Sequence, residues 1–292
     1  MVMRKTLGER IFDIFNLFFL FFLCFIMTYP ILFVVGHSLM SDAERAVSPL
    51  TVIPKIIDIS GYRYIFGRGS LLLNGYKITL LRTVLGSILS LLVESMMAYV
   101  LAKQSYPLRK PVTMMIVFTM WFSGGLIPSF LLMKSLGFFN SIWVFIIQRL
   151  ASAWNILILR NFFAQIPESL EEAAKIDGAN EFTILFRVIL PLSLPALATI
   201  GLFNVVYHWN EWFSGIIYIT DTHKMPVMVI LRRIIAEANQ TNILDTSTGD
   251  YAPPTESIQM ATIVMVAFPI IVAYPFFQKY FTKGMLVGGV KG

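Results

Sequence analysis

The strongest constraint on this chain comes from its long apolar runs, the first of which covers residues 11–35. A helix needs about 20 mostly apolar residues to cross the hydrocarbon core of a bilayer. Hydrophobic residues make up 57% of the chain and charged residues 14%, against about 25% charged in an average soluble domain. A water-soluble fold could not bury so much apolar surface, whereas lipid can solvate it. The sequence therefore predicts an integral membrane protein.

Six segments are long and apolar enough to be interpreted as membrane-spanning helices. The first run is too long for the apolar part of a signal peptide, and we expect it to be retained as the first span. The second span contains Arg82 and Glu94, and the fourth contains Gln148, Arg149 and Asn155, so hydropathy alone leaves these two open. The predicted spans cover residues 12–35, 78–101, 112–133, 142–162, 194–219 and 258–281.

The basic residues predict the orientation of the spans. Loops on the cytoplasmic side of a membrane carry an excess of Lys and Arg. Basic residues precede the first span, fill the loop after the second and follow the last (Arg4, Lys5, Arg10, Lys103, Arg109, Lys110, Lys279, Lys283 and Lys291). With six crossings, both termini are expected in the cytoplasm.

The loop of residues 166–191, between the fourth and fifth spans, contains the clearest helix signals in water. Ser169 with Glu172 three residues later predicts a capping box, and Gly178 can turn the chain out of the helix. A second helix is predicted at about Glu181–Ile189, ending at Pro191. These signals indicate a short helix at the membrane surface that exposes small side chains to a partner.

The same loop resembles the EAA motif of the permease subunits of bacterial ABC importers. The resemblance rests on Glu172-Ala173-Ala174, Asp177-Gly178-Ala179, and the later Val188, Leu190 and Pro191. It implies a coupling helix that docks in a groove of a cytoplasmic ATPase subunit. The ATPase-coupling residues are then Glu172, Ala173, Ala174, Asp177, Gly178 and Ala179.

Further segments resemble the carbohydrate-uptake branch of that family, with its maltose-type, six-span subunits. They are Phe122–Pro128, Trp209-Asn210, Pro226, Gln278–Phe281 and Gly288–Gly292. The stretch Ser123–Pro128 resembles a subset associated with the uptake of oligosaccharides or polysaccharides. The resemblance implies an all-α membrane protein of the type I ABC importer permease architecture. It also implies a cytoplasmic tail, residues 284–292, that contacts the ATPase through Gly288, Gly289 and Lys291.

The resemblance also implies the partners and the site of energy conversion. The sequence has no Gly-x-x-x-x-Gly-Lys-Ser/Thr phosphate loop. We therefore expect no enzyme activity or cofactor in this chain, and ATP and Mg at a separate ATPase. The implied partners are a second permease, two ATP-binding subunits, an extracytoplasmic solute-binding protein, a sugar and the lipid bilayer of the cytoplasmic (inner) membrane. Nucleic acid is not expected, because the basic residues lie beside apolar segments.

Polar and aromatic residues in the fifth span are the first candidates for a substrate path. Amides and carboxylates can bind sugar hydroxyls, and aromatic rings can stack on sugar C–H faces. Ionisable groups inside spans usually face a cavity or a partner. The candidates are Asn204, Tyr207, His208, Trp209, Asn210 and Glu211, followed by Gln148, Arg149 and Asn155 in the fourth span.

Several alternatives stay open at this point. The polar residues could bind helices to one another, and the aromatic residues could mark the membrane interface. The substrate could be a peptide or another solute, and an ion-coupled secondary transporter is a further alternative. A membrane enzyme would need a nucleophile with its base or a metal site, and the sequence shows no such set. His208 has no His or Cys at a metal-ligand spacing, and Cys24 is the single cysteine.

Overall fold

The computed structural model describes residues 6–67, 69–244 and 255–288, and within these ranges the chain is helical without any strand. A π-helical segment, Leu185–Ile189, joins α10 to α11, and a 3₁₀ turn, Thr222–Lys224, precedes α14. The α-helices are α1 (Leu7–Ser38), α2 (Asp42–Val47), α3 (Ser60–Gly67), α4 (Gly69–Ala102), α5 (Arg109–Trp121), α6 (Leu126–Ser135), α7 (Trp143–Ile147), α8 (Ala153–Phe163), α9 (Glu168–Ile176), α10 (Glu181–Ile184), α11 (Leu190–Leu192), α12 (Leu194–Asn210), α13 (Phe213–Tyr218), α14 (Val227–Leu244) and α15 (Thr255–Gly288).

Three helices in the described ranges are long and apolar enough to cross a membrane: Leu7–Ser38, Leu71–Ala102 and Glu256–Pro275. They overlap the predicted first, second and sixth spans. The number of candidate spans rises to five if each of two bent pairs of helices is counted as one span. One pair is α5 with α6, bent by 115°, and the other is Glu181–Leu192 with Leu194–Asn210, bent by 88°.

The predicted third, fourth and fifth spans are interrupted rather than straight, the fifth at residues 211–212 between α12 and α13. The third bends between α5 and α6 at residues 122–125, where Gly125 has a φ of +90° that favours glycine. The fourth is divided into the short helices α7 and α8, with residues 148–152 between them. Neither helix is long enough to span alone, so the total of six spans stays a prediction.

The chain divides into two units, Met1–Gly69 with Arg233–Phe268, and Ser70–Arg232 with Pro269–Gly292. In the first unit, α1 begins with a capping box between Thr6 and Glu9. Arg45 is buried and donates to the carbonyl oxygens of His37, at 2.8 Å, and of Met40. It also donates to Ser257 Oγ, and so ties the loop after α1 to the start of α15 within this unit.

The second unit contains an apolar core between α4, α8, α10 with its π-helical extension, and α12. Arg160 on α8 donates to the carbonyl oxygen of Leu101 at 3.2 Å, which holds α8 against the end of α4. This core supports both the loop helix α9 and the polar residues of the predicted fourth and fifth spans. Its buried members are Ala98, Tyr99, Leu101, Ile156, Leu159, Phe163, Ile184, Leu185, Ile189, Ala196 and Ile200.

The predicted tail of residues 284–292 begins inside a helix, because α15 continues to Gly288. Gly289 and Lys291 lie outside the described residues. The predicted contacts of the tail with an ATPase therefore stay a prediction.

Candidate functional site

The loop helix α9 begins at Glu168, one residue before the predicted cap. Pro167 occupies the N-cap position, and no side chain caps the helix. Ser169 is therefore already helical, so the predicted capping box with Glu172 is wrong. The fixed φ of proline favours a helix start at the next residue, and Glu168 and Glu171 in the first turn complement the positive end of the helix dipole.

The C-terminus of α9 confirms the predicted turn at Gly178. This residue has a φ of +82°, in the left-handed region. Ala179 N donates to the carbonyl oxygen of Ala174 at 2.9 Å, and Gly178 N donates to that of Lys175 at 3.0 Å. Together these two bonds form a Schellman motif, which stops the helix sharply.

The residues of the EAA-like motif divide between two faces of α9. Ala174 and Ala179 are half-buried against the core of the second unit. Glu172, Ala173 and Asp177 are exposed on the other side. Ile176 accompanies them with 86% of its surface exposed. The exposed face therefore combines small, apolar and acidic side chains on a helix whose opposite face packs against the core.

An ionic cluster fixes α9 and α10 to the end of α4, and no local sequence pattern indicated it. Lys103 Nζ lies 3.3 Å from a carboxylate oxygen of Glu171 and also contacts Glu181. The Tyr99 hydroxyl donates to Glu181 at 2.7 Å, and Lys175 Nζ is 3.4 Å from the same carboxylate group. The cluster joins residues about 70 positions apart along the chain, so local spacing could not predict it.

The helix after α9 continues further than predicted. Glu181–Leu192 forms one helical stretch, which ends one residue after the predicted end at Pro191. Pro191 lies near the C-terminal end of this stretch, directly after the π-helical segment Leu185–Ile189. The chain bends by 88° at Ser193 and enters α12.

Asn155 and Asn204 meet in a buried network around Glu94. Asn155 Nδ2 donates to Glu94 Oε1 and to Asn204 Oδ1, both at 3.0 Å. Asn204 Nδ2 donates to Glu94 Oε2 at 2.9 Å, and the backbone N–H of Ser152 donates to Oε1 at 3.1 Å. The network therefore joins α4, α8 and α12 through side chains that are almost fully buried.

A second group of polar side chains is accessible and lies where two helical segments are interrupted. One interruption separates α7 from α8, and the other separates α12 from α13. The Arg149 guanidinium lies over the Tyr207 ring, 4.3 Å from its centroid. Ser214 Oγ donates to Gln148 Oε1 at 3.1 Å, and Ser214 N donates to Glu211 at 2.8 Å. We call Gln148, Arg149, Tyr207, Glu211 and Ser214 the polar patch.

A buried arginine holds Glu211 in the polar patch. Arg82 on α4 is fully buried, and its Nη1 lies 3.4 Å from Glu211 Oε2. It also donates to the Glu211 carbonyl oxygen and lies over the Phe145 ring, 4.8 Å from the centroid. A buried charge is costly unless it is paired, so this interaction explains why an arginine is tolerated in the second span.

The other candidates in the fifth span have different surroundings. His208 is buried, and its ring would lie 2.6 Å from a Cβ added at Gly86, so the two helices approach closely there. Trp209 is buried with its ring 6.4 Å from that of Tyr76, and Asn210 is exposed. The nine predicted path residues thus divide into a buried set and an accessible set. The described ranges contain no cluster of His, Cys, Asp or Glu that could hold a metal ion.

Comparison with known proteins identifies relatives over nearly the whole length. The chain is 40% identical to the polygalacturonan/rhamnogalacturonan transport system permease protein YtcP of Bacillus subtilis (strain 168), over 98% of this chain and 100% of that protein. It is 37% identical to Protein LplC of the same organism, over 99% of this chain and 98% of that protein.

A solved structure has a similar fold. The crystal structure of a bacterial ABC transporter involved in the import of the acidic polysaccharide alginate contains a chain with a TM-score of 0.82 and 34% identity. The match covers 96% of this chain and 100% of that chain. The family of binding-protein-dependent transport system inner membrane components matches residues 3–287. This chain therefore belongs to that family and is an inner-membrane permease component of an ABC transporter.

Proposed function

We propose that this chain is a channel-forming subunit of an ATP-driven importer of oligosaccharides or polysaccharides, coupled to its ATPase through α9. The observation that carries the proposal is the exposed face of α9, with Glu172, Ala173 and Asp177 turned away from the core. The Lys103 cluster binds this helix to the end of α4, and the Schellman motif fixes its C-terminus. A rigid helix is what the transmission of a conformational change to another subunit requires.

The proposed assembly follows the family. It contains a second permease, two ATPase subunits that use ATP and Mg, and an extracytoplasmic binding protein. In this assembly the chain crosses the membrane six times with both termini in the cytoplasm, and the tail of residues 284–292 contacts the ATPase. A sugar substrate is supported by relatives named for polygalacturonan, rhamnogalacturonan and alginate transport.

The substrate path is proposed to follow the polar patch rather than the buried Glu94 network. Irregular backbone at membrane depth is tolerated only where it is buried in protein or lines a water-filled cavity. The patch lies at two such interruptions, and its side chains are at least partly accessible. Asn155 and Asn204 already bond with Glu94 and with each other, so a sugar would have to break this network to reach them.

The coupling proposal is tested with two charge reversals on α9. The assembled complex is reconstituted in proteoliposomes, and ATP-dependent sugar import is measured for Glu172→Lys and for the matched control Glu168→Lys. Both glutamates are exposed on the same helix. We expect Glu172→Lys to abolish most import while the complex stays assembled, and Glu168→Lys to retain it.

Three results would contradict the proposal. Equal import by the two variants would remove the coupling role from Glu172. Import that collapses with an ion gradient and ignores ATP would indicate a secondary transporter. ATP hydrolysis by the purified chain alone would show that energy conversion does not depend on a separate subunit.

A further inference from the structure

The two arginines near the polar patch have different partners. Arg82 is neutralised by Glu211 and is fully buried. Arg149 is half-buried, and its guanidinium lies over the Tyr207 ring. Its Nε atom is buried and finds no hydrogen-bond partner among the residues that the structure describes. Arg149 therefore presents a cation whose hydrogen-bonding capacity is not used within this part of the chain.

The nearby carboxylates are already engaged. Glu211 accepts from Arg82 and from Ser214 N, while Glu94 accepts from the side chains of Asn155 and Asn204 and from the backbone of Ser152. A partly desolvated guanidinium gains most from a carboxylate, because charge-assisted bonds are about twice as strong as neutral ones. Glu94 acts on Arg149 only through longer-range electrostatics, so an anion from outside the chain would give Arg149 a direct carboxylate partner, which the described residues do not provide.

The neighbours of Arg149 suit a carboxylate that is part of a sugar. The guanidinium fork can hold a carboxylate with two parallel bonds. The Tyr207 ring supports the guanidinium and adds a hydroxyl, while the Gln148 amide and the Ser214 hydroxyl lie in the same patch. A sugar ring needs such donors and acceptors for its hydroxyl groups.

We propose that Arg149 and Tyr207 form a carboxylate-binding subsite for a uronic acid unit of the transported oligosaccharide. This inference rests on the proposed function and adds the chemical class of the substrate. It assigns to Arg149 the role of distinguishing acidic from neutral sugars in the membrane. The acidic polysaccharides in the names of two relatives agree with this class.

The experiment compares two probes in the reconstituted complex with its binding protein and ATPase. The probes are trigalacturonate and its methyl ester, which differ in charge and share the same sugar rings. Import of each is divided by the amount captured by the binding protein, so that capture does not enter the comparison. The variants are Arg149→Gln, Arg149→Lys and the control Arg232→Gln, because Arg232 also lies over an aromatic ring, that of Trp212.

We expect Arg149→Gln to lower trigalacturonate import about tenfold or more and to leave import of the methyl ester within about twofold, since only the acidic probe loses a charged bond. Arg149→Lys should retain part of the trigalacturonate import that Arg149→Gln loses. Arg232→Gln should leave the import of both probes unchanged. Assembly should be unchanged in all variants, and Arg232→Gln should keep the ATPase activity that is measured without substrate.

Any of the following results would overturn the inference. Arg149→Gln could lower the import of both probes equally, which would indicate a structural role. It could also leave the import of trigalacturonate unchanged. The effect could also appear only in vesicles that contain phosphatidylglycerol and vanish in pure phosphatidylcholine, which would assign the site to a lipid headgroup. A wild-type complex that imports neither probe but another sugar with ATP would overturn the subsite alone. ATP-independent import, or import of no sugar, would overturn the proposed function as well.

Discussion

Replacing Gly178 by valine tests whether the sharp end of α9 is needed for coupling. Gly178 has a φ of +82°, and a Cβ added there would meet no atom within 4 Å. Steric conflict with neighbours is therefore excluded, and the cost of a side chain comes from the backbone alone. A β-branched residue in this region is a strong outlier.

The magnitude follows from the left-handed conformation. For an L-residue it costs roughly 1–2 kcal/mol, and asparagine is among the few residues that visit it routinely. A change of this size shifts a local equilibrium by a factor of about 5–30. Gly178→Val should therefore weaken the two bonds of the Schellman motif and let the end of α9 fray. Gly178→Asn adds a side chain of similar size and should keep the turn.

The assay measures ATP-dependent import and substrate-stimulated ATP hydrolysis in proteoliposomes for both variants. We expect Gly178→Val to lose import several-fold while it retains normal insertion and assembly. Gly178→Asn should stay within about twofold of the wild type, since its strain is small. Equal activity of the two variants would refute the reasoning, because the positive φ would then play no part in coupling.

Three further predictions concern other contacts. Asn204→Ala should lower the Tm of the complex and leave import per assembled complex largely unchanged, because it leaves a buried Glu94 oxygen without its donor at a cost of about 1–3 kcal/mol. Asn210→Ala, at an exposed site, is the control. An unchanged Tm for Asn204→Ala would contradict the network role. Lys103→Ala should increase hydrogen exchange in α9 and α10, because it releases both Glu171 and Glu181; unchanged exchange would show that apolar packing alone holds the loop. Deletion of Val287–Gly292 should lower substrate-stimulated ATPase activity without loss of assembly, and unchanged stimulation would favour a tail without contacts.

Local chemistry made the loop predictable. The turn at Gly178 follows from one glycine at the end of a helix-forming segment. The start of α9 was misplaced because two helix-start signals compete. Pro167 sets the first turn, whereas Ser169 with Glu172 would set it later. In the structure the helix begins directly after Pro167, at Glu168.

Contacts between side chains that are far apart in the sequence could not be predicted from local patterns. Arg82 and Glu94 stand in the same predicted span, and nothing in their spacing indicates that one meets Glu211 and the other meets Asn155 and Asn204. Likewise, a hydropathy pattern treats residues 142–162 as one span, whereas the structure has two short helices there. An average over a window cannot reveal where a helix stops in its middle.

The buried network and the polar patch serve different requirements of the same site. Interrupted helices leave backbone groups unpaired and would shift easily if only apolar contacts held them. The Glu94 network fixes the start of α8 to α4 and α12, directly beside the interruption at residues 148–152. Arg82 fixes the other interruption by bonding both the carboxylate and the carbonyl oxygen of Glu211. The charged residues of the predicted second span thus hold the two interruptions in place, as the ligand role proposed for Arg149 and its neighbours requires.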